Sequence, residues 1–152
     1  MKLINKFFSL FVLFIILNIY GQKTQNVWKD YIDFKKVIPK EYFAKLKIDS
    51  SKFDSQKNYL ITIPMTTPKS WMTKKDVEYL MNYIDSEEPA YCVMQIISSH
   101  LPLNEKSTLG GQAMNLIDSY RLKENYPYVL TDCSKTDKKR IAEIRKWWNE
   151  EN

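Results

Sequence analysis

Apolar residues recur at helical spacing through the second half of the chain. One apolar face is formed by four residues at positions i, i+3, i+4 and i+7: Val77, Leu80, Met81 and Ile84. Thr73, followed three residues later by Asp76, matches a capping box, in which each residue binds the backbone amide of the other. The pattern therefore predicts a helix over residues 73–86.

Three further helices are predicted from the same spacing. Pro89 suits the first turn of the next helix, because its missing amide would be unpaired there, and Pro102 ends that helix. Another helix begins at Ser107 or Thr108, and Ser134 caps the last one. The apolar stripes of these helices are, in order, Val93, Ile96 and Ile97; Leu109, Ala113, Leu116, Ile117 and Tyr120; and Ile141, Ile144 and Trp148.

The N-terminal half has a less regular pattern. Residues 27–38 keep helical spacing, and a further helix can start at Pro39 and run to Leu46. Residues 58–63 are rich in β-forming residues, and residues 46–48 are the available hairpin partner. The predicted fold class is mainly α, a compact bundle or irregular array of about five or six short helices. One small β-hairpin in the N-terminal half is compatible with this prediction.

The first residues have the composition of a secretory signal peptide. Basic residues precede an apolar run from Phe7 to Leu17, and Gly21 supplies a small residue at the expected cleavage point. The run is shorter than the roughly 18 residues of a membrane-spanning helix. We therefore expect a signal peptide over residues 1–21 and a single helical domain over residues 22–152. The alternative is an uncleaved N-terminal anchor, the one case in which membrane contact is expected.

The charge and composition exclude some function classes. The formal net charge is +5, and removal of the signal peptide would take away Lys2 and Lys6. Basic and acidic residues are interspersed in the remainder, as in residues 137–140, which is typical of a solvated surface and not of a nucleic-acid stripe. We expect no nucleic-acid partner. With 3 glycines and 14% aromatic residues, the chain has the composition of an ordered domain.

Two cysteines, Cys92 and Cys133, are present in a chain expected to enter an oxidising compartment. Such an isolated pair favours a disulfide, the alternative being two separate buried thiols. His100 is the single histidine, so we expect no metal site and no cofactor. It lies beside Ser98 and Ser99, but a histidine near a helix end more often binds backbone carbonyls than acts as a base. No catalytic residue is predicted.

Two adjacent glycines, Gly110 and Gly111, fall in the first turn of the helix that begins near Ser107 and Thr108. Glycine inside a helix costs up to about 1 kcal/mol relative to alanine. Either the glycines allow close approach of another segment, or the bare amides and the two hydroxyls bind an anion such as phosphate or carboxylate. The candidate ligand site is therefore Ser107, Thr108, Gly110 and Gly111, with close packing as the favoured alternative.

Trp147 and Trp148 are adjacent near the C-terminus. Successive helical residues point about 100° apart, so the two indoles cannot share one face. Trp148 continues the apolar stripe of its helix, which leaves Trp147 at the boundary of that stripe. Trp147 is thus a candidate anchor for a protein partner or a sugar ring, the alternative being packing at the edge of the core.

Several segments resemble a group of small exported helical proteins of Bacteroidota to which no activity is attached. The segments are residues 73–86, 98–99, 107–114, 126–127 and 147–148, together with Tyr20-Gly21-Gln22. The resemblance covers about the last 80 residues and implies location and fold only. We expect a non-enzymatic protein, periplasmic or secreted, that binds another envelope or secreted protein. The alternatives are a hydrolase with unrecognised catalytic residues and a protein that binds a small anion or other ligand.

Overall fold

The computed structural model describes residues 31–48, 59–63, 66–102 and 105–151, so the predicted signal peptide lies outside the described residues. Within these ranges the chain forms six strands and four helices. In chain order they are β1 (Tyr31–Ile32), α1 (Pro39–Leu46), β2 (Tyr59–Thr62), α2 (Lys74–Met81), β3 (Pro89–Ala90), β4 (Cys92–Gln95), β5 (Ser107–Thr108), α3 (Leu109–Leu122), β6 (Thr131–Asp132) and α4 (Lys138–Glu151).

Four of the strands form one mixed sheet in the order β1-β2-β4-β6. Strands β1, β2 and β4 run parallel to one another, and β6 is antiparallel to β4. Strands β3 and β5 form a separate antiparallel pair. The prediction of a mainly α bundle of five or six helices is therefore wrong, because the fold is α/β.

The largest correction concerns the helix predicted over residues 89–102. Cys92–Gln95 instead form β4, and all four of these residues are buried. A strand buried on both faces carries apolar residues continuously, and over so few residues periodicity does not distinguish it from a buried helix. Val93 is fully buried, whereas Ile96 and Ile97 lie in an exposed turn after the strand.

The N-terminal half also differs from its prediction. The described part of the helix expected over residues 27–38 contains strand β1 and no helix. Strand β2 forms where the composition predicted a strand, but it pairs in parallel with β1 and β4 and not in a hairpin. The expected hairpin partner is used elsewhere, since Lys47 forms an antiparallel bridge to Ala90. Helix α1 lies where a helix was predicted.

Side-chain caps define where the later helices begin. The predicted capping box is present in α2, where the Thr73 amide donates to Asp76 Oδ2 (2.9 Å) and the Asp76 amide to Thr73 Oγ1 (3.4 Å). Thr108 caps α3, as predicted. Ser134 does not cap α4, because the side chain of Asp137 accepts the amide hydrogen bond (2.8 Å) at its first turn. Helix α4 therefore begins later than predicted.

Helix α3 lies at the centre of the described structure. Every residue from Leu109 to Ser119 is buried, and the helix contacts α1, α2 and α4. One side of α3 is apolar and belongs to the core, whereas Gln112, Asn115 and Asp118 form a polar side that is also buried. A helix buried on all sides must provide hydrogen-bond partners for its polar residues.

Cys92 and Cys133 are bonded to each other, which confirms the predicted pair. Val93 faces Asp132 in the β4–β6 ladder, so the two cysteines lie directly opposite each other, with Cα atoms 4.5 Å apart. The disulfide therefore joins the first residue of β4 to the residue that directly follows β6. Among the described residues, no helix is long and apolar enough to cross a bilayer.

Candidate functional site

The residues of the predicted ligand site lie together at the start of α3, but the two glycine amides are occupied. The Gly110 amide donates to the Ser86 carbonyl oxygen (2.9 Å), and the Gly111 amide donates to Thr108 Oγ1 (3.0 Å). An anion at this position would have to displace both acceptors. Anion binding by Ser107, Thr108 and the glycines therefore stays a prediction.

The structure gives the glycines a packing role. A Cβ atom at Gly110 would lie 2.7 Å from the Ile84 carbonyl oxygen and 2.8 Å from that of Ser86. A Cβ atom at Gly111 would lie under 3.0 Å from the backbone of Ser134. The approaching segments are the loop after α2 and the segment before α4, so the absence of a side chain lets two loops close over the helix start.

A chain of buried hydrogen bonds follows the polar side of α3. Gln112 Oε1 accepts from the Tyr126 hydroxyl (3.0 Å), and Gln112 Nε2 donates to Ser107 Oγ (2.9 Å). Asn115 Nδ2 donates to the carboxylate of Asp132 on the edge strand β6. An unpaired buried polar group would cost about 1–3 kcal/mol. Ser107, a member of the predicted ligand site, therefore serves this network.

The network ends in a buried cluster of charge at Asp118. Arg121 Nη2 lies 2.7 Å from Asp118 Oδ1, and Arg140 Nε donates to Asp118 Oδ2 at 2.8 Å. Burial lowers the pKa of the Arg140 guanidinium, but the hydrogen bond and the charge of Asp118 outweigh burial, so the pKa is raised. Arg140 Nη2 also donates to Asn115 Oδ1 (2.6 Å). These contacts fix α4 against α3, whereas Asp118 Oδ1 and Arg121 Nε are buried without a hydrogen-bond partner among the described residues.

An exposed apolar surface is formed by the loop that follows β4 and the loop that precedes β6. We name it the β4–β6 loop surface. It consists of Ile96 (37% exposed), Ile97 (60%), Leu101 (49%), Val129 (43%) and Leu130 (49%). The Gln95 amide donates to the Leu130 carbonyl oxygen (2.8 Å), which continues the antiparallel pairing beyond the strands. The turn at residues 96–97 therefore lies beside residues 129–130.

Side-chain hydrogen bonds hold these two loops together. Gln95 Nε2 donates to the carbonyl oxygens on both sides of Tyr128, at 3.1 and 3.0 Å. Thr131 Oγ1 donates to the His100 carbonyl oxygen (3.2 Å) and lies 2.7 Å from Ser98 Oγ. The apolar side chains are thus presented on a hydrogen-bonded scaffold at the end of the sheet.

His100 has contacts that suit a structural role. Its Nε2 lies 3.4 Å from Glu105 Oε1 on the exposed surface, and its backbone amide donates to Ser98 Oγ (3.2 Å). The serine hydroxyl thus contacts the histidine backbone, whereas the imidazole contacts Glu105. In the part of the chain that the structure describes, no group of three or more His, Cys, Asp or Glu side chains could hold a metal ion.

Trp147 lies away from the β4–β6 loop surface. It is half-buried, with its ring centroid 6.4 Å from that of Tyr120 and 5.8 Å from that of Trp148. Together with Trp71 and the end of α3, it lines an open cleft of about 610 Å³. Its role as an anchor for a protein partner stays a prediction.

We found no significant match to this chain among protein families, curated proteins or solved structures. The candidate sites therefore rest on residue chemistry and geometry. The sequence reasoning missed the β4–β6 loop surface, because it placed Ile96 and Ile97 on a helix and passed over Val129 and Leu130. The available signal was the run of three apolar residues directly after Pro127, since consecutive apolar residues are unusual in an exposed loop.

Proposed function

We propose that this protein binds another protein through the β4–β6 loop surface, in the periplasm or outside the cell, and that it is not an enzyme. The observation that supports this most strongly is the position of Ile96 and Ile97 in the centre of an exposed turn, closed by the Ser98 amide and the Gln95 carbonyl oxygen (2.8 Å). Turn centres ordinarily carry Gly, Pro, Asn, Asp or Ser. Two β-branched apolar residues there give the fold no evident advantage.

The exposed residues are neighbours and not scattered singly. A single exposed apolar side chain is common on protein surfaces, whereas a group of them contributed by adjoining loops marks an interaction site. The pairing of Gln95 with Leu130 brings the two loops side by side. A partner that covered both loops would remove all five apolar side chains from water at once.

Tyr128 adds an aromatic group to the edge of this surface. Its ring is about half-exposed, and its hydroxyl donates to Asn115 Oδ1 (3.0 Å) within the buried network. Burial raises the pKa of Tyr128, although the charge of Arg140 opposes this change. The hydroxyl therefore stays a neutral donor that fixes the ring. A rigid tyrosine beside aliphatic residues is a typical composition of a protein interface.

Export is supported by two independent features. The predicted signal peptide directs the chain out of the cytoplasm, and the bonded pair Cys92–Cys133 suits an oxidising compartment. The buried carboxylates that could perform acid–base chemistry, Asp118 and Asp132, are engaged in internal contacts with Arg121 and Asn115. A binding function does not require these side chains to be free for catalysis.

The test is affinity capture of the tagged mature protein from the envelope extract of its own host, without reductant. The test variant carries Ile97→Asp and Leu130→Asp. The matched control carries Ile38→Asp, which changes an equally exposed isoleucine (58%) at the N-cap of α1, where aspartate is well tolerated. We expect a stoichiometric partner with the wild type and the control. Recovery with the double variant should fall at least about tenfold, as at an interface hot spot.

Thermal unfolding of each variant shows whether the fold is retained. A partner that is recovered equally well by the folded double variant would place the interaction elsewhere on the molecule. A wild-type protein that is recovered alone, as a monomer, would contradict the proposed function itself.

A further inference from the structure

The cleft that contains Trp147 lies outside the β4–β6 loop surface and is independent of the proposed function. It is enclosed by the turn at residues 68–71, the C-terminal end of α3 and the last turns of α4. Its volume of about 610 Å³ falls within the range of roughly 300–1,000 Å³ of small-molecule sites. Its residues are remote in sequence, so the cleft exists only in the folded chain.

Three aromatic side chains line this cleft, namely Trp71, Tyr120 and Trp147, and each is partly exposed. Trp71 is fixed, because its indole Nε1 donates to the Val37 carbonyl oxygen (2.8 Å) and its ring packs edge-on against Phe34 at 5.2 Å between centroids. Trp147 is placed by its edge contact with Tyr120. The aromatic walls are therefore formed before any ligand arrives, which lowers the entropic cost of binding.

Charged groups complete the walls. Lys69 and Lys123 contribute ammonium groups, and Glu124 and Glu151 contribute carboxylates. Arg121 also lines the cleft, but its guanidinium is paired with Asp118 at 2.7 Å. The remaining charges balance, so the cleft suits a ligand that carries one carboxylate together with several hydroxyl groups. The carboxylates accept hydrogen bonds from hydroxyl groups and repel a ligand with several negative charges.

Two non-glycine residues with a left-handed backbone lie in the cleft walls, Ser70 (φ 60°) and Lys123 (φ 57°). Ser70 occupies the third position of a turn in which the Trp71 amide donates to the Pro68 carbonyl oxygen (3.2 Å). Glycine is the usual residue at such positions, because it has no Cβ. At Lys123 the left-handed conformation ends α3, and its amide donates to the Tyr120 carbonyl oxygen (3.3 Å). At Ser70, glycine would relieve the strain but remove a side chain from the cleft.

We propose that this cleft binds a saccharide that carries a carboxylate. The faces of a sugar ring expose C–H groups that pack against aromatic rings such as Trp71 and Trp147, and its edge carries hydroxyls. The ammonium groups of the lysines pair with the carboxylate of the ligand. The carboxylates of Glu124 and Glu151 accept hydrogen bonds from the hydroxyl groups of the sugar. An apolar ligand would leave the charged walls unpaired, and a ligand with multiple phosphates would face Glu124 and Glu151.

The test is a glycan array that displays neutral, carboxylated and phosphorylated oligosaccharides, followed by titration with the best carboxylated oligosaccharide in free form. The test variant is Trp147→Ala, and the matched control is Trp148→Ala, which truncates the neighbouring indole outside the cleft. We expect binding to carboxylated glycans. The affinity should fall about tenfold in Trp147→Ala, as when an anchoring aromatic is truncated, and stay near the wild-type value in Trp148→Ala.

A second variant keeps the test decisive if Trp147→Ala does not fold. Lys123→Gly removes one ammonium group at a position whose backbone suits glycine, and it should weaken binding of the carboxylated glycan by up to about fivefold. The proposal is overturned if no carboxylated glycan binds, or if neutral or phosphorylated glycans bind at least as well. It is equally overturned if the loss of affinity is the same in Trp148→Ala as in Trp147→Ala.

Discussion

The hydroxyl of Tyr42 donates a hydrogen bond to the hydroxyl of Tyr126, which lies 2.9 Å away and 84 residues later in the chain. The direction follows from the next contact, because Tyr126 donates its one hydroxyl hydrogen to Gln112 Oε1 at 3.0 Å. All three residues are fully buried. The relay therefore connects α1 to α3 through a residue of the segment that leads to β6.

The asymmetry of this relay predicts unequal effects of two similar substitutions. Tyr126→Phe leaves the Tyr42 donor and the Gln112 acceptor without partners, and should lower the free energy of unfolding by about 2–3 kcal/mol. Tyr42→Phe removes only a donor to Tyr126 and should lower it by about 1 kcal/mol. Urea unfolding at neutral pH measures both values. A larger effect of Tyr42→Phe than of Tyr126→Phe would contradict the relay.

The same two tyrosines predict a loss of stability in alkali. Burial is the largest cause of the raised pKa of both Tyr42 and Tyr126. The unfolded chain releases these protons near pH 10, whereas the folded chain retains them. Above about pH 10 the unfolded state therefore binds fewer protons. The free energy of unfolding should then fall with pH by up to about 1.4 kcal/mol per unit for each tyrosine.

Urea unfolding between about pH 9 and pH 11 tests this pH dependence. The variant Tyr42→Phe removes one of the two titrating groups, so its stability should decline less steeply above pH 10 than that of the wild type. Equal slopes for the two proteins would show that Tyr42 does not cause the alkaline loss.

Gly111→Ala is expected to destabilise the fold strongly, because its Cβ would collide with the backbone of Ser134. Overpacking of this kind costs about 1–3 kcal/mol, and a backbone neighbour gives way less easily than a side chain. Gly110→Ala should cost less, since its closest backbone neighbours would lie at 2.7 and 2.8 Å. Thermal unfolding of both variants provides the comparison. Unchanged stability of Gly111→Ala would contradict the packing role of the glycine.

Removal of the disulfide is expected to lower stability by up to about 4 kcal/mol, because the bond restricts the unfolded chain. The cysteines are 41 residues apart in the sequence, which sets the size of this entropic effect. The double variant Cys92→Ala/Cys133→Ala and the reduced wild type should unfold at the same, lower urea concentration. If the urea midpoint is unchanged in both proteins, the β4–β6 ladder is stable without the bond and the expected entropic effect is absent.

The sequence predicted the features that depend on local chemistry. Thr73 and Asp76 encode the start of α2, and Thr108 encodes the start of α3. In both cases the capping residues lie within one turn of the helix start, so the signal is local in the sequence. The start of α4 was predicted wrongly because Ser134 and Asp137 are both capable caps, and Ser134 Oγ donates to Asp132 Oδ1 (2.6 Å) instead. Strand β4 could not be recognised, because its identity depends on pairing with β2 and β6, which are distant in sequence.

The candidate sites were predictable only in part, for the same reason. Trp147 could be placed at the edge of a helical face, but its neighbour Trp71 comes to it through the tertiary fold. The β4–β6 loop surface likewise exists only because the pairing of two strands sets Ile96 beside Val129. The pairing of Cys92 with Cys133 was predictable, since two cysteines allow a single connection.

The central position of α3 has a consequence for how the chain reaches its folded state. A nascent chain that grows from its N-terminus acquires α1, β2, α2 and β4 before the helix that contacts the other three helices exists. Those early segments cannot pack against α3 until residues 109–122 have been synthesised. The antiparallel edge of the sheet cannot form until β6 has followed. The native packing of the first three-fifths of the chain therefore becomes possible only after residues 109–132 have been synthesised.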